Sequence, residues 1–180
     1  SDQVSPTDSE RTWLTRCTVA SEALACIRFA RAYNRFSSSW IAPLLAQDVR
    51  YESHLSTTRR LEGKEAVLDH WKKQIPLNRQ DPGCRTRLEL GLASRTIYDR
   101  LTGKRGRACL IIHHRQRESD QPGLGDQQGY SVLETDDAGR ISRITAEIVP
   151  QGLGCEQSGI FPGISEEEMI QIQSPTTEQL

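Results

Sequence analysis

The sequence predicts an α+β fold in which a layer of helices covers one curved sheet. Two observations carry this. The stretch from Tyr33 to Trp71 reads helix, short helix, strand, turn, helix, and long β-type segments then fill the chain to about residue 150. The apolar spacing changes in step, from helical before residue 76 to alternating after it.

Each element follows from local signals. Thr7-Asp-Ser-Glu10 has capping-box spacing and predicts a first helical stretch. Val19, Ala23, Cys26, Ile27, Ala30 and Tyr33 form one wide stripe at helical spacing, so residues 19–36 form a helix lying on a sheet. Ser37-Ser-Ser39 stops it and caps a short helix over 40–46, where Pro43 falls in the first turn. Residues 49–53 read as a strand and 54–60 as a loop. A helix follows over 64–75, with Val67, Trp71 and Ile75 on its apolar side, and Pro76 is expected to end it. In the strand over 85–98, Leu88, Leu90 and Leu92 face one way, and Arg87 and Glu89 the other. A turn at 101–104, a strand over 107–116, a polar loop over 118–127 and a hairpin of 129–135 with 140–149 complete the sheet. In the tail, Ser165-Glu-Glu-Glu168 caps a short helix ending near Ile172. Ile160, Phe161, Met169 and Ile172 give the tail an apolar side with which to dock on the domain or on a partner.

A length of 180 residues favours one domain with tails: an N-terminal extension over 1–18, the domain over 19–150 and a C-terminal tail over 151–180. With 23 basic and 24 acidic side chains, no global field recruits nucleic acid or an anionic membrane. The basic hairpin tip of Lys104, Arg105 and Arg107 and the pair Arg59-Arg60 read as solvated turns. No apolar run is long enough to span a membrane. The five cysteines are odd in number, widely spaced and without a C-x-x-C pair, which points to reduced thiols and a cytoplasmic setting. The chain opens on Ser1 rather than Met, so removal of a leader stays open. No Gly-rich phosphate loop and no ligand spacing for a metal appear, so neither a cofactor nor a metal is expected.

Four stretches together resemble a known family: Ala32-Tyr-Asn-Arg-Phe36, Leu44-Leu-Ala-Gln-Asp-Val-Arg-Tyr51, Leu61-Glu-Gly-Lys-Glu-Ala-Val-Leu68 and Asp137-Ala-Gly-Arg-Ile-Ser-Arg-Ile144. The sequence over 19–150 is similar to the SnoaL-like branch of the nuclear-transport-factor-like superfamily, which includes ketosteroid isomerases, small epoxide hydrolases and polyketide cyclases. The resemblance implies a cystatin-like conical barrel: three N-terminal helices on a strongly curved mixed or antiparallel sheet, with a pocket between them. It also places the isomerases' aspartate at Ser53, between Glu52 and His54, and their helical tyrosine near Phe29. A serine is no carboxylate base and a phenylalanine donates no hydrogen bond.

Tyr33, Trp40, Tyr51, Trp71, His113 and Tyr130 are the candidate pocket residues, suited to a flat apolar ligand. His54, His113 and Tyr51 are the candidate catalytic groups, His54 as a base replacing the missing aspartate and His113 as a proton shuttle. His113 and His114 face opposite ways. Glu134 and Glu147 read as outward, and His70 as structural. Strands over 108–114 and 140–149 are apolar on both faces, so a second protomer or the tail should cover the outer face, and dimers through that face are common in the resembled family. Two functions fit. One is binding of a small, largely apolar metabolite, with isomerase, hydrolase or cyclase chemistry. The other is a non-catalytic dimerisation or interaction module with its interior filled.

Overall fold

The structure is a computed structural model, and it describes residues 5–55, 57–80, 84–93, 109–117, 126–148 and 155–173. The expected turn at 101–104 and most of the polar loop over 118–127 lie outside the described residues.

Helix α1 (Asp8–Thr15) starts where the capping box places it: the Thr7 hydroxyl accepts from the Glu10 N–H at 3.2 Å. Helix α2 (Ala20–Asn34) buries its small-residue stripe, with Ala23, Cys26 and Ala30 fully enclosed. The short helix is split into α3 (Ser38–Ile41) and a 3-10 turn (Ala42–Leu44) carrying Pro43. Strand β1 (Leu45–Ser53) therefore begins earlier than the sequence predicts. A short edge strand β2 (Arg59–Glu62) replaces the end of the expected loop. It is polar and mostly exposed, so no alternation announces it; pairing with β1 makes it.

Helix α4 (Lys64–Gln80) runs through Pro76 instead of stopping there. A proline removes the hydrogen bond to the carbonyl four residues earlier. Here Pro76 and Lys72 are both exposed, so water reaches the freed Lys72 carbonyl while Val67, Trp71 and Ile75 hold the buried face. Strands β3 (Cys84–Leu92), β4 (Cys109–Arg117), β5 (Asp126–Thr135), β6 (Ile141–Glu147) and β7 (Glu156–Gln157) follow, and helix α5 (Glu166–Gln173) closes the described chain. The Ser165 hydroxyl accepts from the Glu168 N–H at 3.1 Å, as its position predicts.

The sheet is mixed and open, in the order β2-β1-β6-β5-β4-β3-β7, rather than closed into a barrel. Only β1 and β6 run parallel among the described pairs. One face carries Val49, Leu88, Leu90, Ile111, Leu133 and Ile144, which form the main core with α2, α4 and α1. The outer face carries a second cluster of Leu110, Ile112, Tyr130 and Val132, joined by Cys155 of the tail.

These outer residues are already enclosed within one chain. The tail packs on that face. Phe161 packs on His114 at 5.3 Å between ring centres. The Glu89 carboxylate accepts from the Gly159 N–H and from His114 Nε2, each at 2.7 Å. The N-terminal segment is tied in as firmly. Trp13 is buried and donates to the Gly91 carbonyl, and Glu10 pairs with Arg31 at 2.6 Å away from water.

Candidate functional site

Strand alternation selects what faces the helices. In β1 it presents Tyr51 and Ser53, which stand opposite Ile144 and Ala146 of β6. In β3 and β4 it presents Thr86 beside Arg115 and Leu88 beside His113. Ser131 of β5 completes the row. Against these α2 brings Phe29 and Tyr33, and α4 brings His70, Trp71, Gln74 and Leu77. Leu55, Thr57 and Arg59 border the opening. The space between them measures about 430 Å³ and is open to solvent at its mouth.

One wall is aromatic. Phe29 and Tyr51 each meet Trp71 edge-on, at 5.0 and 5.6 Å between centres. Tyr33 stacks beside Phe29 at 6.3 Å, and His70 leans on Tyr51 at 5.2 Å. Such a surface favours a flat apolar ligand.

The tyrosines and histidines inside are neutral at physiological pH. Burial raises the Tyr33 hydroxyl to about 12, assisted by nearby Tyr51 and opposed by a hydrogen bond from Thr86. Burial also raises Tyr51, against its hydrogen bond with Ser53. His113 Nε2 lies 2.7 Å from the Ser131 hydroxyl, and burial, then His114, lower its imidazole to about 4. His70 is likewise lowered to about 4, by burial and then by the Arg59 charge. Arg59 Nη1 donates to His70 Nδ1 at 2.8 Å, so the His70 proton sits on Nε2. Among the described lining residues there is no carboxylate.

Of the candidates taken from the sequence, Tyr33, Tyr51, Trp71 and His113 meet at this cavity. Trp40 and Tyr130 do not line it. Trp40 is half-buried under the Arg35 guanidinium, which lies 5.7 Å from its ring centre. Tyr130 lies on the opposite face of the sheet. His54 points the way Glu52 does, bonding that carboxylate at 2.9 Å and Thr58 at 3.3 Å. Glu134 and Glu147 are outward, as expected from alternation with Ser131 and Ala146. His70, read as structural, lines the cavity. Ser131, Thr86 and Arg115 lacked any signal, because only cross-strand register places them.

Among the described residues, no thiol lines this cavity. Cys17, Cys26, Cys109 and Cys155 are free. The Cys17 thiol is pushed up, mainly by its hydrogen bond with Cys109; the Cys109 thiol, against the lowering effect of its hydrogen bond with Cys17, is raised by its hydrogen bond with Cys26 and by burial. Such thiols are poor nucleophiles. No group of three or more His, Cys, Asp or Glu among the described residues is placed to hold a metal ion. No helix among them is long and apolar enough to cross a membrane.

The helix layer, the strand order and the cavity between them define a nuclear-transport-factor-like fold, and comparison with solved structures agrees. The chain is similar to an NTF2-like protein of unknown function from Mesorhizobium loti, with a TM-score of 0.50 at 16% identity over 81% of this chain and 98% of that one. It is equally similar, at 0.50 and 15% identity, to a SnoaL-like protein of unknown function from Burkholderia thailandensis, over 75% of this chain and 99% of that one. A steroid delta-isomerase from Pseudomonas aeruginosa also aligns at 0.50 and 16% identity, over 74% and 82% of the two chains. No family model and no curated protein matches the sequence. Likeness at these identities establishes the fold. The two positions that the resemblance assigns to isomerase chemistry, Phe29 and Ser53, both line the cavity, and neither carries the group that chemistry needs.

Proposed function

We propose that this protein binds a small, largely apolar, ring-containing metabolite in the cavity between α2, α4 and the sheet. The observation that carries the reading is the 430 Å³ space itself, with Phe29, Tyr51 and Trp71 in edge-to-face contact along one wall. The Tyr33, Tyr51 and Ser131 hydroxyls and His113 supply the few convergent polar groups that orient a ligand in such a site. An interaction module would call for a filled interior instead.

Neutral donors and a neutral imidazole polarise a carbonyl or accept a hydrogen bond. For chemistry of the isomerase, hydrolase or cyclase kind, His113 is the proton acceptor and Tyr51 the donor. An imidazole lowered to about 4 is a weak base, so binding is the function this geometry supports best.

Thermal-shift screening against ring-containing metabolites, followed by titration of Tyr51→Phe and His113→Ala, tests the reading. Loss of a hydrogen bond in the site weakens a hit by about 5- to 10-fold in each variant. Unchanged affinity in both would remove these residues from the site, and a panel without a single hit would remove the ligand.

A further inference from the structure

The sheet floor of the cavity is polar at two places and apolar between them. Ser53 of β1 and Ser131 of β5 both stand opposite Ala146 of β6, so the two serines share one row across the sheet. Both line the cavity and both are buried. Neighbouring strands lie about 4.8 Å apart, which sets the two serines about 10 Å from each other. Between them β6 presents Ala146 and Ile144 to the helices. Phe29 and Trp71 face this floor from the helix side.

Each serine is half of a pair. Ser53 hydrogen-bonds the Tyr51 hydroxyl, and His113 Nε2 lies 2.7 Å from Ser131 Oγ. Tyr51 is in register with Ile144 and Leu133, and His113 with Gly129, so both longer side chains lean toward the serine row from backbone positions off it. A hydroxyl offers one donor and two acceptor positions, and a neutral imidazole one of each. The bond inside a pair therefore leaves each pair a donor and further lone pairs; the 3.5 Å bond from the Leu55 N–H to Ser53 Oγ uses only a lone pair. Both pairs are uncharged at neutral pH. An apolar group set against such a pair leaves its donor unbonded away from bulk water, whereas an oxygen there accepts it.

We infer that the ligand is uncharged and two-ended: a flat apolar ring system with a hydroxyl or carbonyl oxygen at each end, one held by Tyr51 and Ser53 and the other by His113 and Ser131. This rests on the cavity reading and adds to it the number, spacing and charge of the ligand's polar groups.

Three probes of one shape separate the two ideas. Biphenyl has no oxygen, 4-hydroxybiphenyl has one, and 4,4′-dihydroxybiphenyl has two, set about as far apart as the serines. Binding is read by tryptophan fluorescence, since Trp71 lies in the cavity wall. Each added hydroxyl should tighten binding by about 5- to 10-fold, the effect of one hydrogen bond. In Tyr51→Phe and in His113→Leu the diphenol should fall to about the affinity that wild type has for the monophenol. The monophenol should lose at most about 2-fold in either variant, because it binds in two orientations and one survives. It should fall to the biphenyl level only in the double variant. Biphenyl should bind alike in all four proteins, which also verifies that the substituted cavities are intact.

Equal affinity of wild type for the monophenol and the diphenol, or a diphenol indifferent to both substitutions, would overturn the two-ended ligand and leave the cavity reading standing. Failure of all three probes to bind would overturn both.

Discussion

His113 Nε2 and Ser131 Oγ lie 2.7 Å apart across the β4–β5 ladder, which joins them inside the cavity although eighteen positions separate them in sequence. The bond fixes the imidazole ring, and the surrounding apolar groups keep it uncharged.

Acid stability should report that neutrality. An unfolded histidine takes up a proton near 6.5, whereas His113 in the fold holds out to about 4. Between those values the unfolded chain binds more protons, so stability rises with pH there. The contribution is fully present above about 6.5 and is lost as pH falls toward 4. It amounts to about 2 kcal/mol between roughly pH 7.5 and pH 5. His70, lowered for the same first reason, acts in the same direction. Urea unfolding at the two pH values should show the loss in wild type and a smaller one in His113→Gln. An identical acid limb in the variant would mean that His113 titrates normally.

Asn34 should govern whether the tail stays on the sheet. Its side-chain amide accepts from the Leu88 N–H at 2.8 Å, donates to the Leu88 carbonyl at 2.9 Å and donates to the Pro162 carbonyl at 2.7 Å. It thus takes the place of a strand residue along the outer edge of β3. Further along, Ser158 and Ile160 pair with Leu90, and β7 pairs with Gly91 and Leu92. An edge covered in this way cannot recruit another chain. Asn34→Ala leaves buried backbone groups unsatisfied and should lower stability by about 1–3 kcal/mol. Hydrogen exchange should quicken at Leu88 and through residues 158–164, with the amides of β6 unaffected. Unaltered exchange in the tail would place its anchor elsewhere.

What was legible in the sequence was local. The Thr7 cap, the Ala23–Cys26–Ala30 stripe and the Leu88–Leu90–Leu92 alternation each rest on neighbours a few residues apart, and each appears as read. The cavity is made of parity and register, which are not local. In Tyr130-Ser-Val-Leu133 both alternating sets are half apolar, so either could face inward; Ser131 and Leu133 do, and Tyr130 goes to the outer cluster. Arg115 and Thr86 come together only because β3 and β4 pair in one register. Pro76 misled because a breaker signal assumes that the freed carbonyl has no water, and here the proline is on the wet side of α4.

Gly129 tests how tightly the cavity rim is built. It stands opposite His113 where β5 shifts register, and a Cβ added there would run into the Glu147 carbonyl oxygen and into Leu55 Cδ2. The first contact is backbone of the neighbouring strand and cannot swing aside; the second is a side chain that lines the cavity. Gly129→Ala should therefore destabilise the fold by about 1–3 kcal/mol, as overpacking does. It should also displace Leu55 and change the affinity for any cavity ligand. Gly139 is the control. It has a φ of +78° in the exposed turn between β5 and β6, and a methyl group added there would meet nothing within 4 Å, so Gly139→Ala should cost about 1 kcal/mol of backbone strain. Because that turn is remote from the lining residues, ligand affinity should not move. Urea midpoints and probe titrations on the two variants separate the effects: equal affinity in Gly129→Ala and wild type would show that Leu55 is free to shift without reshaping the opening.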